Sequence, residues 1–144
     1  MLLEGASTIA IDAKGRIAIP ARYRDDLQQV CENKLHITRH FREDCLLLFP
    51  ENEWLQFRAM VAAWPNSAAW QKRRILGNAM PVELDSAGRI LLSPDLREAA
   101  HMEKDAKFIG NGSHFEIWDL ALFKAKDAEA DEQPLPEFLD NLSF

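Results

Sequence analysis

Hydrophobic and polar positions alternate along two separate stretches of the chain. In the first stretch, isoleucines occupy alternate positions around a polar centre: Ile9, Ile11, Ile17 and Ile19. A period of two over β-branched residues predicts a strand, a turn and a second strand. Asp12 and Gly15 suit the turn, because Asp accepts backbone N–H groups at a turn start and Gly tolerates a positive φ. Arg16 is then expected to project from the tip of the hairpin.

The same pattern returns 73 residues later, around Asp85-Ser86-Ala87-Gly88. The flanking hydrophobic positions alternate again: Val82, Leu84, Ile90 and Leu92. Arg89 takes the place of Arg16 in this copy. Each copy also predicts a helix after its second strand, with Pro20 as the first helical residue in one copy and Ser93-Pro94 as N-cap and first residue in the other.

A strand pair and a further helix follow in each copy. The segments LHIT (35–38) and CLLLFPENEW (45–54) resemble KFIG (107–110) and HFEIWDLALF (114–123). Gly110-Asn111-Gly112 is a strong hairpin signal, and the last helix of each copy is expected to begin near an acidic cap. Each half therefore predicts strand, turn, strand, short helix, strand, turn, strand and helix.

Two helical stretches lie between the copies. Large apolar residues recur at helical spacing up to Pro65: Trp54, Phe57, Val61 and Trp64. In the second stretch, Ser67 is expected to cap a helix that ends at Gly77. The predicted organisation is a first half over residues 6–49, a helical connector over 50–76, a second half over 77–120, and an acidic C-terminal helix and tail over 121–144.

The tail contains one apolar stripe behind an acidic linker that contains proline. Its members follow the helical spacing i, i+3, i+4, i+7: Leu135, Phe138, Leu139 and Leu142. This stripe fits a frayed terminus, and it also fits docking on a neighbouring copy or on another partner.

Two half-sized copies predict one pseudo-twofold fold, mainly β with helices. A four-stranded unit of about 45 residues is marginal on its own, because a small unit buries too little of its surface. Two such units can interleave their strands and share a core, and the apolar fraction of 47% allows one.

The net charge of −6 first argues against a nucleic-acid partner, but its distribution weakens that argument. Residues 119–144 have a balance of −5, whereas residues 1–24 have a balance of +2. Asp25 and Asp26 follow at once and cancel this small excess. The pattern is compatible with nucleic-acid binding and also with an ordinary solvated surface.

The sequence predicts a cytosolic chain without a membrane partner. No apolar run approaches the roughly 20 residues that span a bilayer, and the first residues lack the pattern of a signal peptide. Cys31 and Cys45 form no CxxC pair, so we expect small buried residues in a reducing compartment.

The two copies together resemble the tandem AbrB/SpoVT-type halves of the MraZ family. The resemblance is carried by DAKGRIAIPARYR (12–24) and DSAGRILLSPDLR (85–97), each followed by a strand pair, and by RRILG (73–77) before the second copy. It extends from EGAS (4–7) through the helix after FEIWD (115–119).

The resemblance implies an AbrB-type swapped-hairpin, double-split β-barrel built from two repeats. It also implies a sequence-specific regulator of transcription that acts as a repressor in the nucleoid. Members of the family bind double-stranded DNA at short direct repeats upstream of the division and cell-wall gene cluster that begins with their own gene. Their protomers assemble into ring-like homo-oligomers.

The resemblance further implies which residues contact DNA: Lys14, Arg16, Arg22 and Arg24 in the first copy, and Arg89 in the second. Ala87 and Asp95 replace Lys14 and Arg22 in the second copy, where Arg89 and Arg97 stay basic. We therefore expect the first half to be the main DNA-contacting half. Arginine can bond guanine O6 and N7 with two hydrogen bonds, and lysine can bond phosphate or base.

Each candidate also has an ordinary structural explanation. Lys14 and Arg16 fit an ordinary charged hairpin tip. Asp12 and Asp85 could be catalytic carboxylates, but together with Gly15 and Gly88 they are assigned to the turns, where each Asp also restrains the Arg four residues later.

Other conspicuous side chains are assigned structural roles. Lys72-Arg73-Arg74 favours a solvated helix face over a phosphate-binding or inter-subunit patch. No zinc spacing occurs among His36, His40, His101 and His114. The tryptophans are expected in the core or in subunit contacts rather than in base stacking: Trp54, Trp64, Trp70 and Trp118.

Three other functions remain beside the regulator. An antitoxin uses a similar barrel with a tail that wraps a toxin, and a scaffold would have the ring itself as its function. An enzyme ranks lowest, because the sequence contains no Walker A loop, G-x-S-x-G elbow, HExxH or dinucleotide fingerprint. No catalytic residue, metal, cofactor or small-molecule substrate is predicted.

Overall fold

The computed structural model describes residues 2–144 of the chain. Eight strands run in chain order: β1 Ala6–Ala10, β2 Arg16–Ala18, β3 Lys34–Arg39, β4 Leu46–Pro50, β5 Met80–Glu83, β6 Arg89–Leu91, β7 Asp105–Gly110 and β8 Phe115–Asp119. The strands come in consecutive pairs, and α-helices follow each pair: α1 Ala21–Cys31, α2 Glu51–Ala62, α3 Ala69–Leu76, α4 Pro94–Ala99 and α5 Leu120–Asp131. Short 3-10 helices cover Asn66–Ala68 and Glu137–Asn141.

The strands of the two halves are interleaved in one antiparallel sheet. Its order is β1-β7-β8-β4-β3-β5, so each outer strand pairs with a strand of the other half. A separate two-stranded ribbon is formed by β2 and β6, again one strand from each half. The order is symmetric about the β8–β4 pair: the symmetry exchanges β8 with β4, β7 with β3 and β1 with β5. This confirms the expected pseudo-twofold arrangement of two repeats.

One core lies between the sheet and the ribbon. Both halves contribute fully buried side chains to it, among them Ile17, Ile90, Phe108 and Phe115. A second cluster, around Trp54 and Val61, lies between α2, α3 and the sheet. The shared core confirms that neither half buries its apolar face alone.

The helix starts follow local capping chemistry in the second half. Ser93 Oγ accepts a hydrogen bond from Leu96 N at the start of α4, with Pro94 in the first turn. The Asp119 side chain accepts from Leu122 N at the start of α5. Both caps confirm the sequence prediction.

Three local predictions are corrected by the structure. Pro20 is the N-cap and α1 begins at Ala21. Ser67 lies inside the 3-10 helix, and the N-cap of α3 is Ala68, without a side-chain hydrogen bond. Of the two alternatives for Trp70, core or subunit contact, its 63% exposure leaves the subunit contact as a prediction. The predicted tail helix is a 3-10 helix of five residues, Glu137–Asn141, so Leu135 and Leu142 of the apolar stripe lie outside it.

Candidate nucleic-acid interface

The first turn, Asp12–Arg16, is organised by the carboxylate of Asp12. Its Oδ1 accepts from Lys14 N at 2.9 Å and from Arg16 N at 2.8 Å. Its Oδ2 accepts from Arg16 Nε at 2.7 Å. Gly15 has φ +86°, a conformation that residues with a Cβ rarely adopt. The sequence of the turn thus fixes both its backbone and the direction of Arg16.

The second turn, Asp85–Arg89, repeats these contacts atom for atom. Asp85 Oδ1 accepts from Ala87 N at 2.9 Å and from Arg89 N at 2.8 Å. Arg89 Nε donates to Asp85 Oδ2 at 3.0 Å, and Gly88 has φ +74°. The turn roles predicted for the two aspartates and the two glycines are present in both copies.

Backbone hydrogen bonds keep both turn carboxylates ionised. The N–H of Arg16 is the largest cause that holds the pKa of Asp12 below its usual value, and the N–H of Arg89 does the same for Asp85. Each arginine uses Nε for its aspartate, so its two terminal nitrogens are free of that bond. Those nitrogens have the geometry for a bidentate contact to an acceptor pair such as guanine O6 and N7.

The ribbon brings Arg16 and Arg89 to one surface. In the antiparallel register Arg16 lies opposite Leu91, Ile17 opposite Ile90 and Ala18 opposite Arg89. The isoleucines point inward, whereas four side chains point outward and form what we call the ribbon face: Arg16, Ala18, Arg89 and Leu91. The two arginines stand diagonally on this face, two residues or about 7 Å apart along the strands.

The predicted basic residues divide into two groups. Lys14 is exposed at the tip of the first turn, beside Arg16. Arg22 lies on α1 against β1, where Nη2 donates to Ser7 Oγ at 2.9 Å and the guanidinium lies 4.6 Å from the Tyr23 ring centre. Lys14 and Arg89 therefore lie with Arg16 at the ribbon, whereas Arg22 lies against β1.

Arg24 lies at the turn of the other copy. Its Nε donates to Ile19 O at 2.9 Å. Its guanidinium covers Gly88 so closely that a Cβ added there would be 2.5 Å from Arg24 Cζ. A DNA contact of Arg24 stays a prediction, and the structure adds a contact that the sequence did not suggest.

Arg97 was not among the predicted site residues, yet it occupies the matching position on the first turn. A Cβ added to Gly15 would lie 2.8 Å from Arg97 Cζ and Nε. The equal offset of Arg24 and Arg97 was visible in the sequence. Their contact with the opposite turn was not, because it depends on the pairing of β2 with β6.

A concave region lies beside α2, on the face of the sheet opposite the ribbon. It is a cavity of about 520 Å³ lined by Phe49, Phe57 and Met60 and by His40 and His114. Burial lowers the pKa of both histidines, so their neutral forms are favoured. Across residues 2–144, no group of three metal-ligating side chains occurs.

The cysteines and the helices add no further chemistry to the site. Cys31 and Cys45 are buried as free thiols, and burial raises the pKa of both, which disfavours the reactive thiolate. In the described part of the chain, no helix has the length and apolar character needed to cross a bilayer.

The fold is a double-repeat β fold with helices, in which the strands of both repeats are interleaved in one sheet and one ribbon. The chain belongs to the MraZ family: the family model described as "MraZ protein, putative antitoxin-like" matches residues 2–74 and 75–140. Proteins named "Transcriptional regulator MraZ" are similar over 143 residues, which is 99% of this chain and 100% of each relative. The identity is 50% for Cupriavidus taiwanensis and 51% for Burkholderia mallei and Burkholderia thailandensis.

Proposed function

We propose that this protein is a sequence-specific DNA-binding regulator of transcription. It represses the division and cell-wall gene cluster at whose start its own gene lies, by binding short direct repeats upstream. The observation that carries the proposal is the ribbon face, where Arg16 and Arg89 are oriented by their aspartates on one exposed surface. The names of the relatives support the same function.

The ribbon face has the dimensions for major-groove binding. The groove of B-DNA admits a two-stranded β-ribbon. Arg16 and Arg89 are about 7 Å apart along the strands and about 5 Å apart across them, so the two side chains can reach different bases. Each arginine can bond a guanine with its terminal nitrogens while Nε stays on the aspartate, so the direction of the contact is set before DNA binds.

The first turn supplies more positive charge than the second. Lys14 stands beside Arg16, whereas Ala87 stands beside Arg89. Lys14 therefore adds a phosphate or base contact on one side of the ribbon. Arg22 is directed toward Ser7 and has a weaker role, through the backbone of DNA.

Self-assembly into a ring is part of the proposal. Several large apolar side chains are at least 46% exposed and can be buried between protomers: Leu55, Met60, Trp70, Leu135 and Phe138. A ring presents many ribbon faces to one DNA molecule, so direct repeats would be bound with avidity. DNA binding of this kind places the protein in the nucleoid.

The test is an electrophoretic mobility shift with DNA from upstream of the protein's own gene. The wild type should shift this fragment and leave a scrambled fragment of equal length and composition unshifted. A variant with both Arg16→Ala and Arg89→Ala should lose the specific shift at an unchanged melting temperature. Equal binding to both fragments would contradict sequence-specific regulation.

The exposed tail favours a second candidate, an antitoxin-like or scaffold protein. Leu135, Phe138 and Leu142 are 73%, 76% and 60% exposed, as expected for a segment that binds another protein. A toxin partner would bind the exposed apolar side chains of the tail and would not require Arg16. A folded wild type of unchanged oligomer mass that shifts no DNA fragment would favour this candidate over the ribbon.

A further inference from the structure

The two copies exchange arginines across the pseudo-twofold axis. Arg97, on α4 of the second copy, covers Gly15 of the first turn, and Arg24, on α1 of the first copy, covers Gly88 of the second turn. Backbone hydrogen bonds run the same way: Leu92 N donates to Gly15 O and Ile19 N donates to Gly88 O, both at 2.9 Å. Each turn is therefore held by the half to which it does not belong.

We propose that Arg97 is a positioning residue for Arg16, and that Arg24 is the corresponding positioning residue for Arg89. This inference rests on the proposed DNA binding. Arg16 can contact a base only if the first turn keeps its backbone, and Arg97 covers the one residue of that turn with positive φ. A planar guanidinium fits over a glycine, where a Cβ would collide with it.

The contact of Arg97 is one of packing rather than of hydrogen bonding. Among the described residues, its buried Nε has no hydrogen-bond partner. Arg24 differs, because its Nε donates to Ile19 O. The arginine over the first turn is thus held by packing, whereas the arginine over the second turn is also held by a hydrogen bond.

Hydrogen exchange of the full-length protein shows whether each arginine stabilises the turn of the other copy or only its own helix. Arg97→Ala should increase the exchange rate of the amides in the first turn severalfold, because the Lys14 and Arg16 N–H groups then lose their fixed acceptor more often. Arg24→Ala should do so in the second turn. This crossed pattern is the signature, since a role confined to its own helix would change α4 or α1 alone.

DNA binding supplies an independent readout. A tenfold loss of affinity for Arg97→Ala, about 1.4 kcal/mol, corresponds to one misplaced guanine contact. The dependence of log affinity on log salt concentration should keep its slope, because a residue that contacts phosphate would reduce the slope by about 0.9.

If Arg97→Ala melts at a lower temperature than the wild type, the same measurements are made on Arg97→Met, which keeps most of the aliphatic chain. Unchanged exchange in the first turn would overturn the proposal, and so would a salt slope reduced by about 0.9. If the wild type does not bind its upstream DNA, the proposed function fails, and the crossed exchange pattern still decides whether each arginine holds the opposite turn.

Discussion

Ile17 lies directly opposite Ile90 in the ribbon, and the two side chains are 0% and 1% exposed. They come from different halves and meet at the centre of the pseudo-twofold arrangement. The same pairing that buries them turns Arg16 and Arg89 outward, because neighbouring residues of a strand face opposite sides. Packing of the core and orientation of the candidate DNA-binding surface therefore have one structural cause.

Ile17→Ala should reduce the free energy of unfolding by about 2–5 kcal/mol, since it leaves a cavity in a fully buried site. Urea unfolding monitored by tryptophan fluorescence measures the loss. Leu91→Ala is the matched control, because it truncates a 57% exposed side chain of the same ribbon and should change stability by about 0.5 kcal/mol or less. Equal losses of unfolding free energy in both variants would contradict the assignment of Ile17 to the inner face and Leu91 to the outer face of the ribbon.

A fragment of residues 1–64 should be insoluble, or should dimerise to replace the missing half. In the full chain β1 pairs with β7, β3 with β5 and β2 with β6, and the fragment lacks all three partner strands. Light scattering and circular dichroism measure its mass and structure. A well-folded monomeric fragment would refute the shared core.

Arg16→Ala should abolish specific DNA binding and leave folding and oligomer mass unchanged. A bidentate guanine contact is worth about 1–3 kcal/mol, and the loss is repeated in each protomer that faces DNA. Arg89→Ala should weaken binding less, because Ala87 takes the place of Lys14 beside it. Operator affinity, thermal melting and mass are compared at fixed salt. Normal binding by Arg16→Ala, or a failure caused only by unfolding, would show that the first turn is not the main contact.

Affinity should rise steeply with the number of DNA repeats. One ribbon face presents few cations, so a single contact is weak and sensitive to salt. Further contacts in an assembled ring are intramolecular and raise the avidity. Binding curves on fragments with one, two, three and four repeats test this. If one repeat binds as tightly as four, assembly contributes nothing to DNA binding.

The protein should lose stability as the pH falls below about 6.5. Burial lowers the pKa of His40 and His114 from 6.5, and Glu116 opposes this shift without cancelling it. Below that pH the unfolded chain binds more protons than the folded chain, so the free energy of unfolding decreases as the pH is lowered. Above that pH the contribution of the two histidines to the free energy of unfolding is constant. Urea unfolding at about pH 7.5 and 5.5 measures the difference.

His114→Gln should reduce this pH dependence, because it removes one of the two half-buried histidines. His101→Gln is the control, since the side chain of His101 is 65% exposed. If both variants retain the pH dependence of the wild type, the titration arises elsewhere.

The sequence by itself determined the local structure of the two turns. Asp12 and Asp85 accept hydrogen bonds from residues two and four positions later, and Gly15 and Gly88 adopt positive φ. These contacts span at most four residues, so residue type and spacing suffice to predict them. The repeat itself predicted the order of strands and helices and the shared core, because each copy alone buries too little surface.

Tertiary structure decided which atoms of the two copies meet. Arg24 and Arg97 have equivalent sequence positions, but only the pairing of β2 with β6 places each guanidinium over the turn of the other copy. Helical spacing likewise left the core and a subunit contact open for Trp70, and the packing of α3 through Ile75 excludes the core by leaving Trp70 at the surface. Such contacts join residues far apart in the chain, and their geometry depends on strand register and helix orientation, which local sequence patterns do not encode.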